Sequence, residues 1–303
     1  MEDPQLRHAS ALFAEGWTSY RLQKAIDDNS LIRLTRSVYA PVMELSPRQE
    51  HLRRMAALLS NHGDSVVASH VSAAIAHGLA VPSEAAEAVH LTVPPPARGR
   101  RSSGYHLHAA RLDATDVVTR GTLRVTSLAR TIVDLARTSS FTWGVVAADQ
   151  ALGLGVSRLE LLASVEASRG RTGVQQARRV VEFADSRSES VAESVSRVTI
   201  SRTGLPQPVP QLSIQAGDEV VARGDFGWEE WKLVGEMDGK VKYRSDNLTD
   251  RSPEEVMAAQ NYRQERIRQA GFWVTRWGWR AAWNVGTLRD LLGTALRHQG
   301  WRP

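Results

Sequence analysis

The sequence predicts a multidomain chain of α+β or α/β class, on three observations. At the amino terminus short helical runs give way to a strand-like stretch; at the carboxy terminus the order reads helix, strand, strand, strand, helix, strand; between them lie three helices broken by glycines. With 303 residues there is room for two or three domains with sizeable cores, here divided as 1–45, 46–185 and 186–303. A hydrophobic fraction of 42% beside 23% charged residues is ordinary for a globular protein. No apolar run approaches the ~20 residues of a membrane helix, and M-E-D-P-Q-L-R-H-A-S at positions 1–10 lacks the features of a signal peptide. The lack of cysteine excludes disulfides and thiolate metal sites. These features point to a cytoplasmic protein without a membrane partner.

In chain order, Ala9 to Ala14 is helical and ends at Gly16; Thr18 or Ser19 caps a second helix through Ile26. Leu31 to Pro41 then reads as strand by alternation. Short helices followed by a β-hairpin form the winged helix-turn-helix pattern, with Arg21, Lys24, Arg33 and Arg36 as candidate DNA contacts. Residues 1–60 hold eight basic against seven acidic residues, a weak electrostatic footprint, so a protein-docking winged helix stands beside the DNA-binding one. The phrase R-x-x-R-S-V-Y-A-P resembles the end of the winged helix in AbiEi-type antitoxins.

The middle segment predicts helices at Leu52–Leu59 and Val66–Leu79, a strand at Val89–Val93 stopped by three prolines, and a strand at Tyr105–Ala109. Seven residues separate His70 from His77, whereas zinc ligation from one helix prefers three or four, which assigns both to packing or capping; His106 and His108 read as a surface pair. The loop A-R-G-R-R-S-S-G, with Arg98, Arg100 and Arg101, is either a phosphate-contacting arm or a solvated loop. Leu123–Thr126 is a strand, and Ser127 caps S-L-A-R-T-I-V-D-L-A-R, with Leu128, Ile132 and Leu135 opposite Arg130 and Arg137. That phrase and S-H-V-S-A-A-I-A-H-G-L resemble the domain following the winged helix in AbiEi-like proteins, which extends the resemblance over about residues 9–137. Three helices from Phe141 to Asp185 complete the connector.

Arg223 to Lys242, R-G-D-F-G-W-E-E-W-K-L-V-G-E-M-D-G-K-V-K, places Asp225 in one apolar-flanked run and Glu236 and Asp238 at the end of the next. Paired as strands around Glu229 and Glu230, the runs bring Asp225 beside Glu236, and two such carboxylates favour a shared proton or a divalent cation. Residues 181–250 are net −5, between arginine-rich segments 98–137 and 251–303, each net +5, a distribution suited to a metal site approached by a polyanion or arising by chance. Trp273, Trp277 and Trp279 alternate onto one face of the last strand, for core packing or base stacking.

The order from residue 188 to 283, with Glu193 and Arg197 in the first helix, Asp225 in G-D-F-G-W, E-M-D-G-K-V-K-Y from Glu236, and G-F-W-V-T-R-W-G-W at the end, resembles the PD-(D/E)XK nuclease fold, in its actinobacterial branch related to very-short-patch-repair endonucleases. The resemblance implies Mg²⁺ or Mn²⁺ held by Asp225, Glu236 and the Met237 carbonyl, Glu193 orienting a metal-bound water, and a lysine stabilising the nucleophile or the charged transition state. It also places Arg197 and Lys242 near DNA. The expected lysine position is Asp238, so Lys240 or Lys242 must reach back, and the helix carries Gln260 and Gln264 where relatives tend to have Glu. Two functions therefore remain open: a metal-dependent endonuclease that cuts DNA, and an AbiEi-like repressor or antitoxin with a cognate toxin, in which the nuclease fold is an inactive scaffold.

Overall fold

The computed structural model describes residues 5–63, 65–216, 219–238 and 262–302. It divides into two compact units, Met1–Ala147 with Gly155–Glu182 and Ala148–Leu154 with Phe183–Pro303. Three sheets and a dozen helices among the described residues make a mixed α/β protein, consistent with a multidomain α+β chain.

The first unit opens with β1 (Arg7–His8), α1 (Ala9–Ala14), α2 (Ser19–Asp27), β2 (Leu31–Arg33) and β3 (Val38–Pro41), the strands ordered β1-β3-β2. The Thr18 hydroxyl accepts from the Arg21 amide to start α2, while Leu12, Leu22, Leu31 and Tyr39 form the small core below it. Then follow α3 (Pro47–Leu59), β4 (Val67–Ala68), α4 (His70–His77), β5 (Val89–Val93), β6 (Arg100–Ser102), β7 (Tyr105–Ala109), β8 (Val117–Arg120), β9 (Leu123–Thr126), α5 (Leu128–Thr138), α6 (Phe141–Gly153, whose residues 148–153 belong to the second unit), α7 (Arg158–Ala167) and α8 (Val174–Phe183). Six of the strands make one mixed sheet, ordered β6-β7-β5-β4-β9-β8.

Three expectations change here. Val66–Leu79 is not one helix: Val67 and Ala68 form a buried strand between β5 and β9, and the helix starts only after Ser69. A buried strand and a buried helix share the same continuous apolar pattern, so periodicity does not separate them. The basic loop instead carries β6, antiparallel to β7, with Gly104 at φ 84 in the turn. Arg130 is buried at 4% exposure, bonded to Asp134 at 2.8 Å and Asp116 at 2.9 Å, so the side of α5 opposite Ile132 is an internal ion network.

The second unit contains α9 (Val191–Ile200), β10 (Val209–Ala216), β11 (Glu219–Trp228), β12 (Leu233–Asp238), α10 (described over 262–269), β13 (Trp273–Gly278), α11 (Trp279–Ala282) and α12 (Val285–His298). Its sheet runs β10-β11-β12-β13, antiparallel except for the parallel β12–β13 pair. Val234 packs with Leu212, Ile214 and Ile267 of α10, whereas its neighbour Gly235 faces Trp277, whose indole donates to Ser196 of α9 at 2.9 Å. Alternation thus puts helices on both faces of β12. The tryptophan stripe is not continuous: Trp277 is buried, Trp273 is 51% exposed and Trp279 starts a helix. A Cβ at Gly235 would lie 2.6 Å from the Trp277 ring, so Gly235→Ala is expected to destabilise the unit by about 1–3 kcal/mol, read as a lower urea midpoint.

Candidate active site

The β11–β12 ladder, with Phe226 opposite Gly235 and Trp228 opposite Leu233, brings Asp225 and Glu236 to its open end. There the Met237 amide donates to Asp225 Oδ2 at 2.8 Å, so the side chain receives an amide that a further ladder position would pair with backbone. Lys232, at φ 46 after the short helical turn Glu229–Trp231, reverses the chain between the strands.

Asp225 and Glu236 have different partners. Glu236 is buried at 8% exposure, and its Oε2 accepts from Arg276 Nε at 2.9 Å and Nη2 at 2.7 Å. Arg276 is its direct neighbour on β13, and Arg263 of α10 approaches Oε1 at 3.1 Å. Two guanidinium groups therefore neutralise this carboxylate. Asp225 has no comparable ion pair among the described residues, and its pKa rises to about 6, first through burial and then through the charges of Glu193 and Glu236, against the Met237 amide and Arg263. It lines an open cleft with Glu189, Gln211, Arg223 and Arg263.

Glu193 sits in the first turn of α9. Its Oε1 accepts from Ser190 Oγ at 2.7 Å, and its Oε2 from the Glu189 amide at 3.0 Å and Gln211 Nε2 at 2.7 Å. Gln211 holds a left-handed φ of 55 within β10, which ties the helix start to the strand beside Asp225. Neither Gln211 nor Arg276 was singled out by sequence, since each acts through a residue distant in sequence, Glu193 on α9 for Gln211 and Glu236 on β12 for Arg276. Asp238 is exposed at the end of β12. Lys240 and Lys242 lie outside the described residues, as does Gln260.

Arg197 is spent elsewhere. Its Nη2 bonds both oxygens of Asp149 at 3.1 Å, and its guanidinium lies 4.8 Å from the Phe183 ring centre. Arg21, Lys24, Arg33, Arg36, Arg98, Arg100 and Arg101 are exposed. Arg21 stacks over Trp17 at 4.3 Å, Arg33 bonds the carbonyls of Thr35 and Arg36, and Arg100 bonds the Tyr105 hydroxyl.

An oxygen-seeking divalent ion suits this donor set. Asp225 is a desolvated carboxylate short of positive charge, and Glu236 Oε1 faces Arg263, whose side chain is 44% exposed and also donates to the Arg223 carbonyl. Among the described residues no helix is long and apolar enough to cross a membrane.

No protein-family model matches the chain. A crystal structure of the Mycobacterium tuberculosis protein Rv2827c is similar over 60% of this chain and 72% of its own, at 14% identity and a TM-score of 0.44. The uncharacterized M. tuberculosis proteins MT2308, of strain CDC 1551 / Oshkosh, and Rv2248, of strain H37Rv, are each 31% identical over 222 residues, spanning 73% of this chain and 78% of theirs. The chain belongs to the family of Rv2248 and MT2308.

Proposed function

We propose that the chain is a DNA-binding protein whose carboxy-terminal domain, 186–303, is a Mg²⁺- or Mn²⁺-dependent endonuclease of PD-(D/E)XK type, preceded by a winged helix at 1–45 and an AbiEi-like domain at 46–185. The observation that carries the reading is the meeting of Asp225 and Glu236 at the end of adjacent strands, with arginines from β13 and α10 against Glu236. When bound, the ion supplies the positive charge that phosphodiester hydrolysis requires at the scissile phosphate. Asp225, Glu236 and the Met237 carbonyl are its ligands in this reading. Glu193, fixed by Ser190 and Gln211, sets the orientation of the groups around Asp225, and Arg263 and Arg276 take the role of charge stabiliser that the sequence sought in Lys240. Purified protein is expected to nick duplex DNA with Mg²⁺ or Mn²⁺, and Asp225→Asn with Glu236→Gln to lose this. Absence of cleavage of single-stranded, duplex and mismatched DNA with either ion overturns the proposal.

In the winged helix, Arg21 and Lys24 project from the exposed side of α2, the helix assigned to the major groove. Arg21→Ala with Lys24→Ala is expected to weaken duplex binding and to reduce the slope of log affinity against log salt by about 2, at ~0.9 per phosphate contact. An unchanged slope in a fluorescence-anisotropy titration removes both residues from the interface.

A second reading has its own support. Glu236 already has two guanidinium partners, the state expected where a nuclease fold persists as a scaffold in an AbiEi-like repressor or antitoxin acting with a cognate toxin. It requires binding to the protein's own promoter that survives loss of both carboxylates, with no cleavage by the unaltered chain.

A further inference from the structure

The first unit holds a second cluster, independent of the carboxylates. Parallel pairing of β5 with β7 sets His90 against His106 and Thr92 against His108, so His90, His106 and His108 share one side of two neighbouring strands. The opposite side carries Val89, Leu91 and Val93 into the core. His70, the first residue of α4, closes over this histidine side: its ring stacks on that of His108, with centroids 3.7 Å apart and planes at 17°. One nitrogen from each of His70, His90 and His108 lies within 4.8 Å of the others, and His90 Nδ1 is 3.1 Å from His108 Nε2.

Two imidazole nitrogens at that separation need a proton or a cation between their lone pairs. A tetrahedral zinc ion with Zn–N of ~2.0–2.1 Å places its nitrogens roughly 3.3 Å apart, close to the spacing His90 and His108 already have. Ser69 Oγ lies 3.0 Å from His70 Nδ1, the kind of outer contact that fixes a ligating ring. His70 also holds a left-handed φ of 50, an uncommon conformation for a residue with a Cβ and one found where function constrains the chain. Arg130, Arg137 and Arg171 near His70, and Arg101 near His108, oppose a cation; Arg130 and Arg137 are ion-paired to Asp134, whose charge acts favourably on His108.

We propose that His70, His90 and His108 form a three-histidine site for a zinc-class divalent transition-metal ion. Three nitrogen donors without a carboxylate select Zn²⁺, Co²⁺ or Ni²⁺ over Mg²⁺ or Mn²⁺, so this ion is chemically distinct from the one assigned to Asp225 and Glu236. Sequence spacing conceals the site because its ligands come from a helix start and two strands; the seven-residue spacing assigns His70 and His77 to packing or capping, and His77 does bond the Thr126 carbonyl.

The test uses the tag-free full chain, stripped with a chelator and titrated with Zn²⁺ by calorimetry and with Co²⁺ by visible absorption. The expected result is one Zn²⁺ per chain, a Co²⁺ spectrum of four- or five-coordinate nitrogen ligation, and no competition from excess Mg²⁺. His90→Gln with His108→Gln is expected to weaken Zn²⁺ binding more than the roughly 10–100-fold typical of outer-shell changes, with His298→Gln as an unaffected control. Less than one ion bound per unaltered chain at saturation, an octahedral Co²⁺ spectrum, or undiminished binding by the folded double variant overturns the proposal. The first two readouts need no variant, so they decide even where the double variant does not fold. Asp225→Asn leaves the site intact, which separates its fate from that of the proposed nuclease.

Discussion

Asp225→Asn is expected to abolish metal-dependent nicking and to make the protein more stable. The aspartate's folded pKa is about 6 against an ordinary 3.8, with burial the largest cause. The sign follows from linkage: the folded state holds this proton more tightly than the unfolded one, so the group weakens stability as pH rises between those two values, fully so above about 6, and has no effect below both. At full weight the difference is roughly 3 kcal/mol, and solvent screening beside the cleft reduces it to about 1–2 kcal/mol. Asparagine keeps an acceptor for the Met237 amide without the charge. Urea denaturation at pH 8 is expected to show the variant gaining and at pH 4 to show the gain greatly reduced; a variant less stable than the parent at pH 8 contradicts the account. A residue that serves the fold would behave the opposite way, whereas a site residue held at a cost fits the proposed chemistry.

The second large effect is structural. Arg197→Ala is expected to lower the stability of its unit by about 3–5 kcal/mol without a matching change in intrinsic DNA contacts, because it strands Asp149 in the interior. Asp149 is fully buried, its pKa already raised by burial, and its other anchors include the Asp185 amide at 2.7 Å. Arg197→Lys recovers little, since a point charge replaces neither the contacts to both Asp149 oxygens nor the packing against Phe183. Near-normal denaturation together with lost DNA affinity would return Arg197 to the nucleic-acid surface on which the sequence placed it.

Arg197 also shows where the sequence stops informing. Its position one turn after Glu193 was visible, but its partner lies 48 residues away in α6, and no local pattern encodes that pairing. The strand order around Asp225 and Glu236 was legible because the apolar runs, including G-D-F-G-W, and the Glu229–Glu230 reversal are local signals. Arg276 was not, although it lies directly beside Glu236, since parallel partners are brought together by a long connection. The same reason hid the histidine cluster, whose strands are parallel, whereas short β4 was hidden because its two apolar residues read as the first turn of a helix. Local capping, by contrast, was readable in advance at Thr18 and Ser127, where a hydroxyl meets an amide three residues on.

The parallel pairing of β12 with β13 has a consequence for synthesis. Until the ribosome has released residues 273–278, β12 has no outer neighbour, and Glu236 lacks its arginine from that strand. At about 5–20 residues per second, the segment from Glu236 to Arg276 takes several seconds to make, during which β12 is an open edge inviting another chain. A chain cut short before Trp273 is therefore expected to aggregate through that edge rather than to fold as a smaller unit.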